Sequence, residues 1–142
     1  MFYVDTSVLV PYYCPESASG AAERFLTGER DLAVSDLGEL EFCSALARKV
    51  REGGLGPEDV GRIVALFRSH LEGSYFRRLV VEPSHLRLAS EWVSLNLAPL
   101  RSLDALHLAV AFSGGRCLVT FDRRLAAAAS ALAVAVRIPG DD

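Results

Sequence analysis

The residues of this chain best able to do chemistry are acids that stand just past short apolar runs. Asp5 closes Phe2-Tyr3-Val4, aromatic and β-branched residues suited to a buried strand, and two hydroxyls follow it, Thr6 and Ser7. Glu41 falls in the first turns of a helix expected from about Asp36 to Arg51, where Glu39 competes with it for any role. Asp104 lies two residues beyond Ser102, in the first turn of a further expected helix, where unpaired N–H groups and the helix dipole favour a negative charge. Asp122 follows an expected strand directly, in Thr120-Phe121-Asp122. Two carboxylates about 5 Å apart at an effective dielectric near 20 repel by about 3 kcal/mol. A cluster of them must therefore take up protons or bind a divalent cation. Carboxylates and water suit Mg²⁺ or Mn²⁺, and no Cys/His set is spaced for zinc. A cation held this way can activate water and stabilise charge on a phosphoryl oxygen.

Each acid also has a plainer use. Asp104 can serve its helix dipole, Asp122 can be an N-cap, and Glu41 can be a solvated helix residue. Asp5 is hardest to explain away, because an acid directly behind a buried strand has no capping need in this reading.

The elements that must position these acids alternate along the chain. After Asp5 a helix is expected over Glu16–Leu26, closed by Gly28, and then a strand at Leu32-Ala33-Val34-Ser35. The Asp36–Arg51 helix carries Leu40, Cys43, Ala47 and Val50 as its core stripe, and Gly53-Gly54 breaks it. Pro57 opens a helix with Val60, Ile63, Val64, Phe67 and Leu71 on one face. A third strand is expected over Phe76–Val81, buried at Leu79, Val80 and Val81, and a helix from Pro83 carries Leu86, Ala89, Trp92 and Val93. Ser102 reads as the N-cap of a helix over Leu103–Phe112; Cys117–Thr120 is a strand, Asp122–Ala129 a short helix and Ala133–Ile138 a last strand. The alternation describes one α/β domain over 1–142 with a mostly parallel sheet of about five strands. In a parallel sheet strand ends and the starts of the following helices share one side, so all four acids converge on one edge.

Composition sets the outer limits. A chain of 142 residues that is 51% hydrophobic can build a substantial core. No apolar run approaches the roughly 20 residues of a membrane span, and the N-terminus lacks the pattern of a signal peptide. Cys14, Cys43 and Cys117 form an odd set without close pairs, which fits three small hydrophobes in a reducing cytoplasm. A net charge of −3 argues against gripping nucleic acid by bulk electrostatics but leaves local contacts open. All basic residues but Lys49 are Arg, the better phosphate ligand, although biased genome composition gives the same excess.

Taken together, VDTSVLV at Val4–Val10, VSDLGELEFCSALARKV at Val34–Val50, SLDALHLAVA at Ser102–Ala111 and LVTFDRRL at Leu118–Leu125 resemble, in order and spacing, the PIN domain, and most closely the VapC-type ribonuclease toxins of bacterial toxin–antitoxin pairs. The resemblance implies a three-layer α/β/α domain and a metal site of Asp5, Glu41, Asp104 and Asp122. It favours Glu41 over Glu39 by its distance from Ser35. It makes Thr6 and Thr120 supporting hydroxyls that orient carboxylates or water. It further implies Mg²⁺- or Mn²⁺-dependent cleavage of single-stranded or loop RNA in the cytoplasm, a homodimer, and a small antitoxin protein that silences the site. His107, one turn beyond Asp104, is expected to be a partly buried, hydrogen-bonded residue more than a ligand. Arg123 and Arg124 could hold a phosphate, and Tyr12 and Tyr13 are expected in a turn or the core more than stacked on a base. Two other readings stay open: a PIN-like module that binds RNA or protein without cutting, and a phosphotransfer protein using Asp5 as acceptor.

Overall fold

A computed structural model describes residues 1–141 of the chain. Five strands form one sheet: β1 (Phe2–Val4), β2 (Leu32–Ser35), β3 (Phe76–Leu79), β4 (Cys117–Val119) and β5 (Val136–Arg137). Their order across the sheet is β3-β2-β1-β4-β5, and every pair is parallel. Seven helices connect them: α1 (Thr6–Tyr13), α2 (Ser19–Gly28), α3 (Asp36–Arg51), α4 (Pro57–Glu72), α5 (Pro83–Leu95), α6 (Ser102–Ser113) and α7 (Arg123–Ala131).

Alternation along β1 divides the core. Val4 points into a cluster with Val8 and Leu9 of α1, Ala22 and Leu26 of α2, Phe42 and Leu46 of α3 and Phe67 of α4. Tyr3 points to the other side, where α5, α6 and α7 contribute Trp92, Leu108, Ala109, Leu125 and Ala129. Helices thus cover both faces of a parallel sheet, the expected three-layer α/β/α arrangement. The chain runs outward from β1 to β2 and β3 and then continues at β4 on the other side of β1. The strand order therefore reverses between β1 and β4, and in open parallel sheets ligands bind beyond the strand ends at such a point.

Several local expectations need correction. Thr6–Tyr13 is helical, so a helix starts immediately after Asp5, and the second helix begins at Ser19, not Glu16. The buried face of α3 is Gly38, Phe42 and Leu46; Leu40 is 67% exposed, so the expected stripe was rotated around the helix. In β3 the buried residue is Phe76, whereas Val80 lies past the strand and is exposed. Along α5 only Ala89 and Trp92 are buried; Leu86 and Val93 are exposed and line a shallow apolar groove with Leu103. Arg101, not Ser102, is the N-cap residue of α6, and its side chain makes no capping bond. The last strand is only Val136–Arg137. Cys14 is buried as expected, whereas Cys43 and Cys117 are partly exposed, and all three are free thiols. No helix among the described residues is long and apolar enough to cross a membrane.

Candidate active site

Asp5 stands where β1 ends, its backbone N–H donating to the Val119 carbonyl of β4 at 2.9 Å. It is the N-cap of α1, so it does have a capping role: Oδ2 accepts from the Ser7 amide at 3.3 Å. The same oxygen accepts from Ser7 Oγ at 2.6 Å and from Thr120 Oγ1 at 2.9 Å. These three bonds all fall on Oδ2. Oδ1 accepts none of them and lies 4.0 Å from His107 Nε2. A carboxylate only 6% exposed is thereby held with one oxygen anchored and one turned to its neighbours. Ser7 Oγ also accepts from the Phe121 amide at 2.9 Å, and Thr120 Oγ1 from the Asp122 amide at 2.9 Å, so the loop after β4 is tied to the same knot.

Thr6, expected to orient carboxylates or water, lines the cleft but makes no hydrogen bond to Asp5 among the described residues. Its hydroxyl points to the Gly38 carbonyl, at 3.5 Å, so Ser7 is the side chain from the DTS segment that holds Asp5.

Glu41 projects from α3 beside the buried Phe42, and its Oε1 meets His107 Nε2 at 2.6 Å. Glu39 faces elsewhere, paired with Arg68 and Arg78. His107 is 2% exposed, and its Nδ1 meets the Tyr3 hydroxyl at 2.6 Å. Burial acts to lower the His107 pKa, but the Glu41 hydrogen bond and the charges of Asp5, Glu41 and Asp104 outweigh it and hold the pKa above its ordinary value. Desolvation pushes the Tyr3 phenol well upward, so it stays protonated.

Asp104 in the first turn of α6 is reached by Arg101 Nε at 3.3 Å. Asp122 is the N-cap of α7, its Oδ1 accepting from the amides of Arg124 and Leu125 at 2.8 and 3.1 Å. All four acids line one cleft of about 690 Å³, together with His107, Arg48, Lys49 and Arg101. Among the described residues, the group of three whose ligand atoms all lie within 4.8 Å of one another is Asp5, Glu41 and His107; Asp104 and Asp122 line the same cleft outside that group. Arg123 pairs with Asp141. Tyr13 is packed against Phe42 and Phe67, with its hydroxyl on His70.

The chain matches the PIN domain family over residues 2–131. It belongs to the PIN family. This PIN domain is 33% identical to "Ribonuclease VapC35" of Mycobacterium tuberculosis, over 99% of its own length and 98% of the relative's. Its fold is shared with solved structures of lower identity. VapC20 of Mycobacterium tuberculosis, described as a sarcin-ricin loop cleaving toxin, superposes with a TM-score of 0.73 at 21% identity, covering 90% of this chain and 95% of that one. FitAcB of Neisseria gonorrhoeae gives 0.72 at 19% identity over the whole of both chains. A toxin–antitoxin complex of Klebsiella pneumoniae gives 0.68 at 17% identity, again over the whole of both.

Sequence reasoning overlooked Ser7, Tyr3 and Ser35. Ser7 had a usable signal, since an N-cap acid bonds its side chain to the residues two and three positions on. Tyr3 and Ser35 had none: a polar pair inside two apolar strands is visible only once β1 and β2 are side by side.

Proposed function

We propose that this PIN domain, spanning 1–142 as one unit, is a Mg²⁺- or Mn²⁺-dependent endoribonuclease of VapC type and the toxin of a toxin–antitoxin pair. The observation that carries this is the arrangement of Asp5, Glu41, Asp104 and Asp122, delivered by four different elements to one cleft at the switch point of the sheet. The near-full-length similarity to a ribonuclease supports RNA as the substrate.

The donor chemistry fits a hard divalent cation. Two carboxylates within 4.8 Å of one another, one of them buried, repel by roughly 3 kcal/mol at an effective dielectric near 20, and Asp5 Oδ1 would serve as a ligand, since the Ser7 and Thr120 bonds fall on Oδ2. Asp5 and Glu41 would hold the cation, with Asp104 and Asp122 completing the acidic set across the cleft. When bound, it would activate water and neutralise charge developing on the phosphoryl oxygen. Ser7 and Thr120 fix the orientation of Asp5, so little reorganisation is needed when RNA arrives.

Cations on the cleft wall suit a polyanion. Lys49 is paired with Glu16 and Arg101 with Asp104, but Arg48 and Arg51 form no ion pair among the described residues. They line a side groove with Thr6 and Ser44 that shares Glu41 and Arg48 with the acidic cleft. RNA would cross this surface, its backbone held by arginine. The chain acts in the cytoplasm as a homodimer and is silenced by a small antitoxin.

Incubating the chain with an RNA panel in Mg²⁺, Mn²⁺ or chelator tests the assignment. Internal cleavage with either cation and none in chelator supports it. RNA bound but left intact under all three conditions identifies a binding module instead. Expression in a bacterial host should arrest growth, and co-expression of the product of a short adjacent reading frame should restore it.

A further inference from the structure

A buried chain of hydrogen bonds runs from the start of α3 through the sheet to α6 and back to α3. Ser35 Oγ caps α3 by accepting the Gly38 amide at 3.1 Å. Tyr3 OH lies 2.6 Å from Ser35 Oγ and 2.6 Å from His107 Nδ1, and His107 Nε2 lies 2.6 Å from Glu41 Oε1. Ser35, Tyr3 and His107 are each no more than 2% exposed. The loop closes on one helix, because Ser35 begins α3 and Glu41 sits two turns into it.

Proton inventory gives the chain a direction. Nδ1 faces the Tyr3 hydroxyl, and Nε2 faces a Glu41 carboxylate oxygen, which accepts hydrogen bonds. A contact of 2.6 Å to it therefore requires a proton on His107 Nε2. Ser35 Oγ already accepts the Gly38 amide and can donate its own proton to Tyr3; Tyr3 can then donate to Nδ1, so that each polar group in the chain is used. In the imidazolium form the direction between Tyr3 and Nδ1 reverses, while Nε2 still donates to Glu41.

From this geometry we infer that His107 is not a metal ligand but a positioning residue, locked by Tyr3 and Ser35 with its Nε2–H aimed at Glu41, so that Glu41 presents its carboxylate to the cation in a fixed orientation. Three ligating atoms lie close enough together to suggest an Asp5–Glu41–His107 set. The nitrogen that faces the other two carries the proton and has no lone pair to give. Outer partners of this kind typically change metal affinity or activity by about 10–100-fold when removed. The inference rests on Glu41 being a cation ligand, but its hydrogen-bonding half stands without any cation.

Two measurements on the full chain separate these parts. Nitrogen-15 NMR of the histidine side chains in chelator at alkaline pH should show His107 as the Nε2–H tautomer, and Tyr3→Phe should remove that preference. A His107 Nδ1–H tautomer in the parent overturns the inference, whether or not a cation binds. Mn²⁺ binding followed by EPR should then show no directly coordinated nitrogen, and affinity should fall about 10-fold or more in His107→Leu and less in His107→Gln, whose amide can still donate to Glu41. If His107→Leu fails to fold, Tyr3→Phe takes its place, with a loss of about 3-fold or more expected. A coordinated nitrogen in the parent, or unchanged affinity in the folded variants, contradicts the positioning role. Failure of the parent to bind Mn²⁺ at all contradicts instead the proposed metal site, and shows as such because the NMR result is independent of it.

Discussion

At Asp5 one carboxylate has two different oxygens. Oδ2 takes every hydrogen bond from Ser7 and Thr120, and Oδ1, which takes none of them, lies 4.0 Å from His107 Nε2. Hydrogen bonds to a charged group contribute about 1.5–3 kcal/mol each, so Ser7→Ala should destabilise the chain by about 2 kcal/mol in denaturant titrations. Thr6→Val removes only a long contact to Gly38 and should stay within about 1 kcal/mol of the parent. The order of the two effects is the test, since Thr6 is the residue that sequence alone would choose. Ser7 and not Thr6 holds Asp5 for a local reason: once Asp5 caps a helix, its side chain turns toward the residue two positions on. His107 gives a pH signature of its own. Its folded pKa lies above the ordinary 6.5, so the imidazolium is favoured in the folded state. Its stabilisation is fully present below the unfolded value and is lost as pH rises through the folded value. In chelator, the melting-temperature advantage of the parent over His107→Gln should be largest in mild acid and shrink as pH rises above 6.5.

Elements were legible where their pattern was set locally, and less so where packing chose between patterns. Pro57 and Pro83 open α4 and α5 as expected, and all five strands lie close to their expected places. The α1 segment was missed because Thr6–Tyr13 is almost uniformly apolar and carries an internal proline, which gives no helical stripe to read. Burial of Val8, Leu9 and Val10 against α2 and α3 supplies what propensity does not. In α3 two apolar series compete, and the rotation that places Phe42 and Leu46 inward also turns Glu41 toward His107. The consequence is measurable. Phe42→Ala should cost about 3–5 kcal/mol and Leu40→Ala less than about 0.5 kcal/mol, read from urea midpoints.

Across the whole molecule, the site follows from topology. The parallel order β3-β2-β1-β4-β5 sets the ends of β1 and β4 side by side and brings α3 and α6 to the same edge. Convergence of the four acids was therefore legible from spacing once the sheet was taken as parallel. The closer grouping within the set was not: Asp5 and Glu41 meet around His107, a residue that spacing alone does not place between them. A net charge of −3 makes any RNA grip local, and Arg48 and Arg51, which line the groove beside the acidic cleft, are where it should reside. Replacing each with Gln in an Asp5→Asn background should weaken RNA binding similarly across sequences and lower the salt slope by about 1 per arginine, as neutral contacts release no counterion. The measurement that bears most directly on the account is cleavage of RNA in Mg²⁺ or Mn²⁺ by the parent and by Asp5→Asn, with both shown by circular dichroism to be folded. Internal cuts by the parent, none in chelator, and a loss of about 100-fold or more in Asp5→Asn are expected. Equal cleavage by the two proteins would contradict the account.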